Sequence, residues 1–267
     1  MYYLLFFIGI ILSFVKDQKR IVLVLFTLLL AVVAFFRYGV GADYFNYEYL
    51  FYRLDTSLLN EYRNGVDSQE IGFRLIGSFL KSIGLSYQQY LILFAIINLY
   101  FVSKTCKHYS ENPVLSMLVY LCFYYFVWTF SGLRQGIALA VGIYYLLRTI
   151  ENNKKIKFFV IVVVLSLIHS SAVLLLFLYF ISMLKLSKKK LMLLAIISIM
   201  FSVLPVGNLL IKVSFIPFID KLVPYVNTDI TITNIFDFQS IGRLLFLVII
   251  FIYYDAYSRK DDISKKI

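Results

Sequence analysis

Residues 156–184, IKFFVIVVVLSLIHSSAVLLLFLYFISML, decide the fold of this chain. The run is apolar almost throughout, with His169, Ser170 and Ser171 as its polar centre. A straight membrane span takes roughly 20 residues, so the run is long for one crossing and short for two. Charge separates the two readings. Read as a hairpin, the run gives a chain that starts outside, crosses nine times and ends inside, with 17 of the 26 basic residues on inner segments and 9 on outer ones. Read as one span, it flips everything downstream and the split becomes 12 inside to 14 outside. The positive-inside rule prefers the hairpin.

The expected fold is therefore all-α: a polytopic integral membrane protein with about nine transmembrane helices, N-out and C-in. Residues 1–267 form a single membrane-embedded domain in this reading. Composition agrees, because 61% of residues are hydrophobic and only 15% charged, against about 45–50% and about 25% in soluble domains. The apolar runs fall at about 2–15, 21–36, 87–102, 113–130, 133–147, 156–168, 171–184, 191–204 and 241–256. Several are short, and tilt or local thinning of the bilayer makes up the difference. The first run, MYYLLFFIGIILSFV, lacks a basic leader and a small-residue cleavage site and is expected to be a retained span.

In this topology the inner face holds the whole formal charge of +11, while nine bases balance nine acids outside. The basic balance thus reflects topology and attraction to anionic lipid, and it gives no support to nucleic-acid binding. Cys106 and Cys122 are too few for a disulfide framework or a zinc site. No P-loop, kinase set, HExxH or GxSxG is present, so neither a metal nor a cofactor is expected.

Two outer loops are long enough to carry function. The first, about 37–86, ends in SQEIGFRLIGSFLKSIG, where Ile71, Leu75, Ile76, Phe79, Leu80 and Ile83 recur at helical spacing with Arg74, Ser78 and Lys81 on the other side. That pattern predicts a short helix lying in the outer interface. The second, about 205–240, is broken by Pro205, Pro217 and Pro224, with Phe215, Ile216, Phe218 and Ile219 expected to dip into lipid.

Ionisable groups at membrane depth are costly and mark function by default. Arg37 follows the second run, Arg134 opens the fifth, His169 tips the hairpin, and Arg243 enters the last. All four fall on the outer side. Arg37 and Arg243 could equally snorkel to the headgroups, and His169 with its serines could serve only to satisfy backbone groups at a turn. Arg134 is harder to set aside, because Gln135 follows it and the pairs Gly136/Ala140 and Ala138/Gly142 let neighbouring helices come close. Guanidinium groups bind phosphate bidentately, so a lipid phosphate or pyrophosphate is the expected ligand. Histidine is also a natural general base. Asp43 either shares that role or only shapes the Gly-Ala-Asp turn. Tyr44, Asn46, Tyr47 and Glu48 beside it suit sugar stacking and hydroxyl bonding, though tyrosine is also a common interfacial residue.

The blocks FRYGVGADYFNY, SQEIGFRLIGSFLKSIG, SGLRQGIALA and LIHSSAVL, in that order, resemble the EpsG family of Wzy-like polysaccharide polymerases over roughly the first two-thirds of the chain. Arg37, Gly39, Asp43, Glu70, Arg134, Gln135 and His169 carry the resemblance. It implies a GT-C-like enzyme in the bacterial cytoplasmic membrane that joins undecaprenyl-pyrophosphate-linked repeat units into exopolysaccharide or capsule. The donor and acceptor would both be lipid-linked glycans, in company with other polysaccharide-assembly proteins. Arg37, Arg134 and Arg243 would hold the pyrophosphate, Asp43 or His169 would take the acceptor proton, and Tyr44, Tyr47, Glu70 and Gln135 would contact substrate. The rival expectations are a lipid-linked oligosaccharide flippase, which would spread polar groups through the membrane and show paired repeats, and a membrane acyltransferase or ligase using His169 as base.

Overall fold

The computed structural model describes residues 2–15, 19–65, 69–184, 187–203 and 238–258, and every regular element among them is helical. The chain forms two compact units, Met1–Ile181 and Ser182–Ile267.

The first unit opens with α1 (Tyr2–Ser13) and α2 (Lys19–Phe35). Three short helices follow, α3 (Tyr44–Arg53), α4 (Leu58–Asn64) and α5 (Ile71–Ser82). Then come α6 (Tyr87–Tyr109) and α7 (Pro113–Tyr120), which runs on into a π-helix over Leu121–Ser131. The unit continues with α8 (Leu133–Asn152), α9 (Lys155–Ser166), a 3₁₀ turn at Ser170–Val173 and α10 (Leu174–Met183). All seven apolar runs from this part of the sequence are helical, and local signals set their starts. Ser86 and Gln89 form a reciprocal capping box before α6, and Asn112 caps α7 just ahead of Pro113. Two helices, Tyr87–Tyr109 and Pro113–Ser131, are long and apolar enough to cross a membrane.

Helix α6 is the axis of this unit, packed between α2 and α8. Its Tyr90, Leu91 and Phe94 enter a core shared with α3, α5, α8, α9 and α10. Its Ala95, Leu99 and Cys106 enter another shared with α1, α2, α7 and the π-helix. The small residues of α8 permit the close packing expected of them. A side chain at Gly136 would collide with the Trp128 carbonyl, and one at Gly142 with Leu175.

Residues 156–184 fold back on themselves. The rings of Phe158 and Tyr179 lie 5.5 Å apart, which a continuous helix forbids, since 21 residues of helix would separate them by about 30 Å. The turn is at Leu167–Val173, with His169 in extended conformation (φ −151°, ψ 118°) between α9 and the 3₁₀ turn.

The segment 37–86 holds three helices where the sequence pattern predicts one, and on α5 the polar side turns into the unit while the apolar stripe, Leu80 apart, stays partly or fully exposed. The buried face of α5 is Phe73, Arg74, Gly77, Ser78 and Leu80, whereas Phe79 and Ile83 are exposed. Arg74 turns inward because its Nη1 pairs with Glu61 Oε1 at 2.8 Å, both groups being buried. On the same helix Lys81 Nζ donates to the carbonyls of Tyr52 and Leu54, each at 2.6 Å. It thereby caps the C-terminal end of α3, where a cation is favoured. The outward apolar face of α5, with Leu58, Leu59 and Tyr62 of α4, lines a cleft of about 600 Å³. Such a face suits an interfacial helix.

The second unit contains α11 (Lys188–Val203) and α12 (Phe238–Ser258), joined by an ion pair of 2.6 Å between Lys188 Nζ and Asp255 Oδ2. Most of the expected second outer loop, 205–240, including its prolines and Phe215, Ile216, Phe218 and Ile219, lies outside the described residues.

Candidate functional site

The first unit gathers Glu70, Arg134, His169 and Ser170 from three separate stretches of chain. Glu70 is the residue just before α5, with backbone φ −61° and ψ 140°. Its Oε2 accepts a hydrogen bond from Arg134 Nη1 in a close ion pair. Its Oε1 accepts the backbone N–H of Ser170 at 2.9 Å and faces His169 Nδ1 at 3.4 Å. Backbone contacts fix this meeting point. The Gly72 N–H donates to the Leu167 carbonyl at 2.8 Å, and a Cβ at Gly72 would stand 2.7 Å from that same oxygen. Only glycine lets the start of α5 reach the hairpin tip this closely.

Burial by itself would raise the Glu70 pKa. The His169 contact, the Ser170 N–H and the charge on Arg134 together outweigh it and hold the carboxyl well below the usual carboxylate range. Glu70 is thus a fixed anion. A proton on Nδ1 of His169 would point at it, which favours the tautomer with Nε2 unprotonated and able to act as a base. Arg134 lies over the ring of Phe73, 5.3 Å from its centroid, and its Nε is buried without a hydrogen-bond partner among the described residues.

Arg37 is held at the same end of the unit. It is only 4% exposed. Its Nη1 donates to the Thr129 carbonyl at 2.6 Å and the guanidinium lies 4.9 Å from the Phe130 ring centroid. Its Nε and Nη2 have no hydrogen-bond partner among the described residues. The segment after it turns at Gly41, where φ is +115° and a Cβ would meet the Phe130 carbonyl oxygen at 2.6 Å. The Ala42 N–H donates to Ser131 Oγ at 3.0 Å. Residues 37–42 are therefore laid onto the end of the π-helix, two residues before α8 delivers Arg134. Arg37 also lines a cleft of about 400 Å³ with Tyr44, Glu48, Tyr52, Tyr87 and Gln88.

The rings of Tyr44 and Tyr47 are buried against Tyr87 and Phe73. Their faces are already covered against neighbouring rings, whereas Tyr38, Tyr49 and Tyr52 are exposed. Asp43 precedes α3, half-buried, and its side chain does not cap the helix. Gln135 is exposed. Arg243 falls on α12 in the second unit, and its side chain is outside the described ones. Among the described residues no group of three or more His, Cys, Asp and Glu side chains could hold a metal ion.

The role of Glu70 as the hub is what the sequence pattern misses. Its partners stand 64 and 100 positions away, beyond any local periodicity. Thr129 is missed as well. The signal that could have found it is a hydroxyl inside the apolar run FVWTFSG, where a buried polar group needs a partner. Its Oγ1 donates to Asn98 Oδ1 at 3.1 Å, which also accepts from Tyr120 at 2.6 Å.

The sequence profile of the EpsG family matches residues 20–267. The chain belongs to the EpsG family. The match takes in all four blocks that carry the resemblance and extends through the last third of the chain. Neither a curated relative nor a solved structure matches it. EpsG-family membership places the chain in polysaccharide biosynthesis and, with its two long apolar helices, among membrane proteins.

Proposed function

We propose that this EpsG-family chain is a polysaccharide polymerase of the bacterial cytoplasmic membrane, crossing it about nine times. It would work at the outer face on repeat units carried by undecaprenyl pyrophosphate. The observation that carries the reading is the pair of guanidinium groups of Arg37, which is buried, and Arg134, which is half-buried. Both keep donors unspent at the same end of the unit as the Glu70–His169 pair. Buried donors without partners are costly, and a pyrophosphate would satisfy them bidentately. In the reaction, the bond between the donor's anomeric carbon and its pyrophosphate oxygen breaks. A new bond forms from that carbon to the acceptor hydroxyl oxygen, and the hydroxyl proton passes to His169 Nε2. Arg37 and Arg134 stabilise the departing pyrophosphate. Glu70 orients His169 and Arg134 and does not itself touch substrate. Asp43, half-buried and outside this cluster, is left to shape the turn.

The charge pattern supports the orientation. Arg37, Glu70, Arg134 and His169 lie at one end of the unit, while Lys19, Lys104 and Arg148 lie at the other. Phosphate and sugar chemistry at the end poor in lysine fits an outer-face site. The test is a deletion strain analysed for lipid-linked glycan. Single repeat units accumulating on the carrier, reversed by the wild-type gene but not by a H169A variant, support the polymerase. Unchanged chain length with altered acylation points to a ligase or acyltransferase and overturns it.

A further inference from the structure

The end of the first unit opposite the candidate site carries a second, unassigned pocket. Along α8, Arg148 is 14 residues beyond Arg134, about 21 Å at 1.5 Å per residue. Here α6, α8 and α9 enclose a cavity of about 200 Å³ walled by Lys104, Tyr145, Arg148, Thr149, Lys154 and Lys157, among others. Every charged group in the wall is cationic. Lys104 Nζ sits 4.8 Å from the Tyr144 ring centroid and Lys157 Nζ 5.0 Å from that of Tyr145, so the aromatic faces hold the two ammonium groups in place. Glu151 pairs with Arg148 at 2.9 Å, but Lys104, Lys154 and Lys157 enter no ion pair among the described residues.

The backbone is arranged in the same sense. The α8–α9 turn is made at Asn153, in the left-handed region with φ 56°, a conformation that asparagine tolerates better than most residues. This turn folds Lys154 and Lys157 back over the end of α8. The carbonyls of Arg148 and Thr149, which would repel an anion, already accept from Asn152 Nδ2 at 3.1 Å and the Asn153 N–H at 2.8 Å. The first turn of α9 carries no side-chain cap and faces the pocket with its positive end.

We propose that this pocket binds a phosphate group, either the headgroup of an anionic phospholipid or a free phosphate, at the membrane face opposite the candidate polymerisation site. It differs from bulk surface charge in being built: three helices converge, two ammonium groups are stacked on tyrosines, and no carboxylate lines it.

The full-length protein, purified in a zwitterionic detergent, is mixed with equal amounts of phosphatidylglycerol and phosphatidylcholine, and bound lipid is read by native mass spectrometry. The wild type retains phosphatidylglycerol in preference. Lysine near an anionic surface contributes about fivefold in binding each, so K154Q/K157Q loses on the order of tenfold or more. Both positions are exposed, so folding is preserved. The control K189Q/K190Q removes the same charge from exposed positions on α11 that do not line the pocket, and it retains the preference for phosphatidylglycerol. Equal losses in the two double variants, or no preference in the wild type, overturn the proposal. If millimolar inorganic phosphate displaces the lipid from the wild type but not from K189Q/K190Q alone, the lysine pocket is refuted. Displacement from both assigns it to soluble phosphate, and resistance in both assigns it to the lipid headgroup.

Discussion

Replacing Glu70 by glutamine tests the centre of the candidate site. The substitution keeps the shape of the side chain and removes only its charge. Glu70 now accepts hydrogen bonds from Arg134 and the Ser170 N–H and faces His169 Nδ1 at 3.4 Å without a formed hydrogen bond, and hydrogen bonds to a charged group are worth about 1.5–3 kcal/mol each. The amide oxygen can keep the Ser170 bond, so the loss falls on the other two contacts. The Glu70 and Arg134 side chains are 17% and 20% exposed, and water recovers part of that loss. The expected net destabilisation is about 2–3 kcal/mol at neutral pH, below the value of about 3–5 kcal/mol for breaking a fully buried pair. The sign with pH follows from the depressed folded-state pKa. That stabilisation is present above the ordinary carboxylate value of 4.5 and is lost as pH falls from there toward the folded-state value. Thermal unfolding of wild type and E70Q in detergent should therefore show a gap in Tm that is widest at pH 6–7 and narrows on the acid side of about pH 4.5. A gap that stays constant or widens in acid refutes the assignment of Glu70 as a paired anion. For activity, misorienting a general base removes a factor of about 100 or more. E70Q and H169A should each lose at least that much turnover, and the double variant should be little worse than either single one, as expected when two residues act as a unit. Multiplicative losses would show that they act separately.

Three further outcomes follow from the geometry. R134K keeps the charge but not the planar fork, so lipid-linked chain extension should fall at least about tenfold with the fold retained, and polymer of near-normal length in that variant counts against a bidentate role. R37M removes a buried cation whose remaining donors are unsatisfied, so Tm should hold or rise while polymerisation fails; a large drop in Tm would mean that Arg37 is a structural residue. G72A brings a Cβ within 2.7 Å of the Leu167 carbonyl oxygen and should cost about 1–3 kcal/mol through overpacking, read as a lower denaturation midpoint, with His169-dependent turnover falling alongside it.

The sequence by itself determined the helices. All nine apolar runs are helical, because burial along a run and its caps are local properties, read from neighbours three and four residues apart. It also picked out Arg37, Arg134 and His169, since a charge or imidazole set in an apolar run stands out without any knowledge of its partners. The hairpin at 156–184 was legible through charge bias, and the Phe158–Tyr179 contact shows the chain folding back there. Only the tertiary structure decided what those groups do to one another. It turned Arg74 of α5 inward, against the apolar stripe, because a carboxylate on α4 was waiting for it. It buried Tyr44 and Tyr47, whose composition alone reads as surface. It joined Glu70 to Arg134 and to the hairpin tip through a glycine that permits the approach. The physical reason is the same in each case. A periodicity records how much of a residue is buried, whereas an ion pair or a hydrogen bond depends on which distant stretch of chain arrives beside it.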